Sequence, residues 1–180
     1  MAATSPDTKI YGSEPHEFDD LKRSIETGTR QENEKLVGSI CDAIMTATPG
    51  ELTWSVLQRL ATGSLTVSDE EVLHAMAAAF HFFKITVEPG GASALAAILS
   101  GRLDIKGKVV VVVCSGGNAD PEQLAGCFTI GAQRTMEQDA RGRYLVMQRS
   151  HGEPIPYSLL MQGWSTDIGT EPFVVAFTKL

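Results

Sequence analysis

The sequence predicts an α/β layered fold around a mostly parallel sheet, and three observations carry that prediction. Val109 to Val113 are five consecutive valines, β-branched on both faces. That pattern belongs to a strand buried on both sides inside a helix-covered parallel sheet. Ser68-Asp69-Glu70-Glu71 has the form of a capping box, and behind it Val72, Leu73, Met76, Ala79, Phe80 and Phe83 recur at helical spacing. Strand-like and helix-like segments alternate along the chain, as α/β layers require.

Taken in order, Lys9-Ile10-Tyr11-Gly12 reads as a short strand closed by glycine, with an acidic stretch from Glu14 to Asp20 behind it. Asp19 and Asp20 stand just before Leu21-Lys22-Arg23-Ser24-Ile25, where an N-cap and first-turn carboxylates belong. Residues 26–38 are polar and read as a loop. Ile40 to Ile44 is a brief apolar segment, Thr48-Pro49-Gly50 turns the chain, and Glu51 to Leu60 predicts a helix. The capping box starts an amphipathic helix over 69–83. Ile85-Thr86-Val87-Glu88 follows, and Pro89-Gly90-Gly91 leads into a small-residue helix, Ala92 to Leu99, ended by Gly101. The valine strand runs into Cys114-Ser115-Gly116-Gly117-Asn118. Beyond Cys127 the character changes: Gln133 to Gly142 is polar, while Tyr144 to Met147 and Phe173 to Phe177 read as strands.

With 180 residues the chain is long enough to bury roughly 70% of its unfolded surface, so no metal or disulfide staple is needed. Its net charge of −7 argues against a nucleic-acid or anionic-membrane binder. Three cysteines without a CxxC spacing argue against a disulfide framework and a cysteine zinc site. The start shows no basic and apolar leader, and no apolar run approaches the ~20 residues of a membrane span. A cytoplasmic protein with neither nucleic-acid nor membrane partners is expected.

Three places could carry chemistry. Ligands of parallel α/β sheets bind beyond the carboxyl ends of strands. Ser115-Gly116-Gly117-Asn118 has that position, with glycines that admit close approach and a hydroxyl able to face a ring nitrogen; a plain tight turn is the equal alternative. Glu88 ends an apolar segment before a helix start, as a site carboxylate or as an exposed strand-end charge. Glu14, Glu17, Asp19 and Asp20 offer hard oxygen ligands, although helix capping explains the last two equally well. The sequence holds no HExxH, P-loop, GxGxxG or GxSxG motif.

Five segments in this order resemble the carboxyl-terminal half of a serine/threonine dehydratase. They are Tyr11-Gly12-Ser13-Glu14-Pro15 with Asp19-Asp20, Ile40-Cys41-Asp42-Ala43, Val67-Ser68-Asp69-Glu70-Glu71, Val87-Glu88-Pro89-Gly90-Gly91-Ala92 and Ser115-Gly116-Gly117-Asn118. The family is that of the pyridoxal 5'-phosphate (PLP) enzymes of fold type II, tryptophan-synthase-β-like, which also contains serine racemase. The likeness runs from about Ser5 to about Asp120. It implies a partial tryptophan-synthase-β-like domain over residues 1–128 and an unassigned tail over 129–180 with two strand candidates.

By that resemblance Ser115 faces the pyridine nitrogen of PLP, with Gly116 beside it. A neutral hydroxyl there leaves the nitrogen largely unprotonated. Glu88 stands near the ring, and Glu14, Asp20 and the carbonyl of Phe18 correspond to the family's site for Mg2+ or Ca2+. The family's Schiff-base lysine and glycine-rich phosphate loop belong to its amino-terminal half. None of Lys9, Lys22, Lys35, Lys84, Lys106, Lys108 and Lys179 has the setting of that lysine, so no catalytic residue is expected in this chain. The implied activity is dehydration of L-threonine or L-serine to a 2-oxo acid and ammonia, with a complementing amino-terminal half or a homo-oligomer as partner. Serine racemisation and hydroxyaspartate dehydration are alternatives on the same scaffold, and a non-catalytic remnant or interaction module is the alternative from another class.

Overall fold

A computed structural model of the chain describes residues 5–127 and the backbone of 173–178. Its elements are β1 (Lys9–Pro15), α1 (Asp20–Thr27), α2 (Glu51–Leu60), β2 (Gly63–Val67), α3 (Asp69–Ala78), α4 (Pro89–Leu99), β3 (Val109–Val112) and β4 (Phe173–Thr178). Asp42–Ile44 adds one 3-10 turn. The strands form one sheet in the order β2-β1-β4-β3, and every pairing is parallel. The α/β class and the parallel sheet read from the sequence are therefore present.

β1 continues past Gly12 to Pro15, three residues beyond the predicted strand. Gly12 is an interior position: a Cβ there would lie 2.8 Å from Leu21 Cδ2 and 2.9 Å from Ser64 Oγ. A missing side chain thus lets α1 settle against the strands. Side chains alternate along a strand, so Glu14 shares the face of Gly12. It reaches α1, where its Oε1 accepts from Leu21 N (2.8 Å) and its Oε2 from Lys22 N (2.9 Å). Asp19 occupies the N-cap position of α1 without a capping side-chain bond. The expected local cap is replaced by a carboxylate from the sheet.

The capping box of α3 is complete: Glu71 N donates to Ser68 Oγ (3.2 Å) and Ser68 N to Glu71 Oε2 (2.8 Å). The α-helix ends at Ala78, earlier than the predicted Phe83, and Ala79–Phe83 winds as a π-helix to Lys84 at φ 60°. The wider turn rotates the periodic face. Phe80 is left 42% exposed, while Phe82 and Phe83 pack on the core.

All eleven residues of α4 are buried. Its small side chains let it lie between α3 and the sheet, where it contacts β1, β2 and β4. Cys41, Val67, Val72, Met76, Val87 and Leu95 join it in the apolar core.

The valine strand corrects one expectation. Among the described strands β3 lies at the edge, joined to the sheet through β4, and its residues are half-exposed, Val109 and the following Val113 at 41% each. Five valines signal β structure, but burial on both faces requires layers packed above and below the sheet, which a run of valines does not by itself supply. The central place is taken instead by residues 173–178, paired with β1 (Lys9 opposite Val174) and with β3 (Val112 opposite Ala176). The strand candidate over 144–147 lies outside the described residues. Among the described residues no helix is long and apolar enough to cross a membrane.

Candidate cofactor-binding site

In a parallel sheet the carboxyl ends of all strands lie together, and Ser115 to Asn118 leave β3 at that end. The chain there is docked on the amino end of α4. Three hydrogen bonds make the seam: Glu88 N to the Gly116 carbonyl (3.2 Å), Ser115 N to the Gly91 carbonyl (3.4 Å) and Asn118 N to Glu88 Oε2 (3.3 Å).

Two glycines allow this approach. A Cβ on Gly91 would fall inside the Ser115 carbonyl group, and a Cβ on Gly116 would collide with the Glu88 carboxylate. Gly116 also has φ 72°, a left-handed conformation that side chains disfavour. Pro89, with its fixed φ and missing N–H, suits the first position of α4. Glu88 stands at the N-cap in an extended conformation (φ −69°, ψ 159°), and its side chain makes no cap to its own helix. The carboxylate instead crosses to the loop.

Ser115, Gly116 and Glu88, singled out from the sequence, are thus brought together. Asn118, from the same candidate loop, and Gly91, which the sequence did not single out as a site residue, belong to the same seam. A glycine pair at a helix start, where glycine lowers helix stability, was the signal for Gly91. Ser115 is exposed, and among the described residues its hydroxyl makes no hydrogen bond. It can therefore meet a ring nitrogen.

Burial disfavours the thiolate at each of the three cysteines. Burial pushes the Cys41 thiol up to about 12, and burial likewise raises Cys114, next to Ser115, and Cys127. A thiol held neutral is inert.

Glu14, Phe18 and Asp20 are fully or almost fully buried, beside α1. Besides the two helix amides, Glu14 Oε2 accepts from Ser64 Oγ (2.7 Å), and Asp20 Oδ1 accepts from Asn33 Nδ2 (2.6 Å). These bonds account for the Glu14 carboxylate and for Oδ1 of Asp20 as structural acceptors. Carboxylate oxygens keep further lone pairs of the kind a hard cation takes. Among the described residues no three His, Cys, Asp or Glu side chains converge as a metal site.

Lys9 opens β1 and Lys108 precedes β3, both at the amino end of the strands, opposite Ser115. Lys22 pairs with Glu26, Lys35 with Glu17, and Lys84 donates to the His81 carbonyl.

A loop beyond the carboxyl end of a parallel strand, seated on a helix amino end, is the ligand-binding arrangement of α/β enzymes. Residues 1–116 match the family described as pyridoxal-phosphate dependent enzyme, and the chain belongs to that family. It is similar to an L-threo-3-hydroxyaspartate ammonia-lyase of Pseudomonas sp, 33% identical over 68% of this chain and 38% of the relative. It is also similar to a serine racemase of Dictyostelium discoideum, 34% identical over 67% of this chain and 38% of the relative. Among solved structures it resembles a threonine deaminase from T.th., with TM-score 0.61 and 39% identity over 66% of this chain and 43% of that one. The chain therefore spans less than half the length of the relatives it matches. The tryptophan-synthase-β-like assignment and the likeness to threonine dehydratases and serine racemase both agree with the reading of the sequence.

Proposed function

We propose that this chain supplies the serine-bearing face of a PLP site in an ammonia-lyase that converts L-threonine or L-serine to a 2-oxo acid and ammonia. The observation that carries it is the exposed Ser115 hydroxyl, on a loop fixed to the amino end of α4 by the Glu88 and Gly91 bonds. The residues fit that edge of the cofactor: glycines leave room for the ring, and the hydroxyl accepts or donates to its nitrogen without a charge. When bound, the cofactor supplies the electron sink that lets the α-proton and the β-hydroxyl leave. Ser115 orients the ring, and the docked loop keeps that hydroxyl in place while the substrate changes. The lysine that bonds the cofactor and the phosphate loop come from a segment that these 180 residues do not include, in a longer polypeptide or a complementing one.

Intact mass after borohydride reduction with equimolar PLP tests this. No adduct on any single lysine is the expected result, with ammonia release from L-threonine only when a lysine-bearing segment is added. One stoichiometric adduct on the chain alone would sink the claim that the lysine comes from elsewhere. Failure of both PLP binding and ammonia release in the presence of that segment would favour the non-catalytic reading. The names of two relatives favour a second reaction on the same scaffold, serine racemisation or hydroxyaspartate dehydration. Chiral analysis of the serine left after incubation detects racemisation, and ammonia release from 3-hydroxyaspartate compared with that from L-threonine separates the two dehydrations. The same reading assigns Glu14, Asp20 and the Phe18 carbonyl to Mg2+ or Ca2+; a rise in melting temperature with either ion, absent in Asp20→Ala, tests it.

A further inference from the structure

We infer that Glu88 is a positioning residue for Ser115, holding the 115–118 loop to α4 before any cofactor arrives. The inference rests on the reading above only in giving Ser115 its task; the clamp itself is a property of this chain. Glu88 grips the loop through two atoms of one residue. Its backbone N–H donates to the Gly116 carbonyl, and its carboxylate accepts from the Asn118 N–H. Between these two points the side chain crosses the α-carbon of Gly116, in the space where a Cβ would stand. Gly91, in the first turn of α4, takes the Ser115 N–H from the other side.

The backbone that carries the Ser115 side chain is therefore held on both sides. Its amide is held by Gly91, and the next residue's carbonyl by Glu88. Glu88 is anchored in turn, because Pro89 behind it begins a helix buried over its whole length. The carboxylate thus acts on the ring through Ser115, by fixing where the hydroxyl can stand, and its partner is a backbone amide rather than the ligand. A loop exposed to solvent over four successive residues would otherwise sample many conformations.

The test is made on the chain without cofactor, by amide NMR and hydrogen exchange. Acid titration of the wild type should move the Asn118 amide proton as the carboxylate facing it becomes protonated. Glu88→Gln, which keeps the shape and one acceptor oxygen, should abolish that movement while leaving the loop ordered. Glu88→Ala should speed exchange of the Asn118 amide about tenfold, the loss of one hydrogen bond to a charged group. Gly116→Ala carries the left-handed strain in both backgrounds, and in the wild type it should in addition displace the Glu88 carboxylate and weaken its bond to Asn118 N, an added effect that is absent in Glu88→Ala. An Asn118 shift that titrates equally in Glu88→Gln, or equal effects of Gly116→Ala in both backgrounds, overturns the clamp. If Glu88→Ala does not fold, the Glu88→Gln titration decides alone. PLP failing to bind while the clamp signals persist would refute the cofactor reading and leave the clamp standing.

Discussion

Gly91 and Ser115 touch so closely that a single methyl group on the first would occupy the carbonyl of the second. Helix α4 and the loop after β3 are fused at this point by backbone alone, with Ser115 N donating to the Gly91 carbonyl.

Gly91→Ala should therefore be among the most damaging single changes in the chain, destabilising it by about 3 kcal/mol or more, since the obstacle is backbone that has no rotamer to shift. Gly28→Ala serves as the comparison. Gly28 has φ 75° with nothing within 4 Å, so only the left-handed strain of about 1–2 kcal/mol applies. Urea unfolding midpoints of the two variants should rank in that order; equal midpoints would show that the seam yields.

Glu14 predicts a second hierarchy. Glu14→Ala strands the amides of Leu21 and Lys22 and the Ser64 hydroxyl. It should cost about 3–4 kcal/mol, because hydrogen bonds to a charged acceptor are the strong ones. Glu14→Gln offers one acceptor oxygen and turns an NH2 toward a donor, so about 1–2 kcal/mol is expected. Circular dichroism melts read both, and a Glu14→Gln loss as large as that of Glu14→Ala would mean charge, not acceptor number, is what α1 requires.

Alkaline pH should weaken the fold through Cys41. Burial is the largest cause of its raised pKa, which stands at about 12 against 9.0 for an ordinary thiol; the Ser39 bond works against it, and Asp69 and Asp42 add to it. The folded state then holds a proton that the unfolded chain releases. The stability is complete below about pH 9 and falls as pH rises toward about 12. Cys114 and Cys127 contribute in the same direction. Cys41→Ala should flatten the decline of urea stability above about pH 9, and an unchanged slope would exclude Cys41 as its source.

Ser93 stands in α4 fully buried, and its hydroxyl has no hydrogen-bond partner among the described residues. Ser93→Ala should raise stability by about 1 kcal/mol, since it removes an unsatisfied group and improves helix propensity. A lower melting temperature in this variant would show that the hydroxyl has a role in the folded chain.

Removing residues 172–180 tests the sheet. β3 would lose its only neighbour among the described strands, and β1 one of its two. Exchange of the Val109 to Val112 amides should rise to loop-like rates, with association through the freed edges. Unchanged protection would mean β3 is held by α4 and not by β4.

Much of this protein was legible from local chemistry. A capping box needs only residues three apart, so Ser68 and Glu71 announced the start of α3, and Glu51 to Leu60 formed the helix their spacing predicted. The family blocks around Glu14, Glu88 and Ser115 could be recognised because each is a short, contiguous string. Contacts between distant segments could not be read in that way. Nothing near Asp19 reveals that Glu14, from the neighbouring strand, caps α1 in its place. The end of the α-helix at Ala78 depends on how Phe82 and Phe83 meet the core, which periodicity alone does not contain.

Local sequence was enough for most elements and for the family, because these follow from propensity, capping and short motifs. Which strand is central was settled only by packing. Residues 173–178 enter between β1 and β3 and leave the valine strand at the edge, a choice made by hydrogen-bond pairing across more than sixty positions of sequence. Packing also brought together Glu88 and Gly116, twenty-eight residues apart. Backbone groups that find each other in space leave no mark on the composition of either segment, apart from the glycine that makes room.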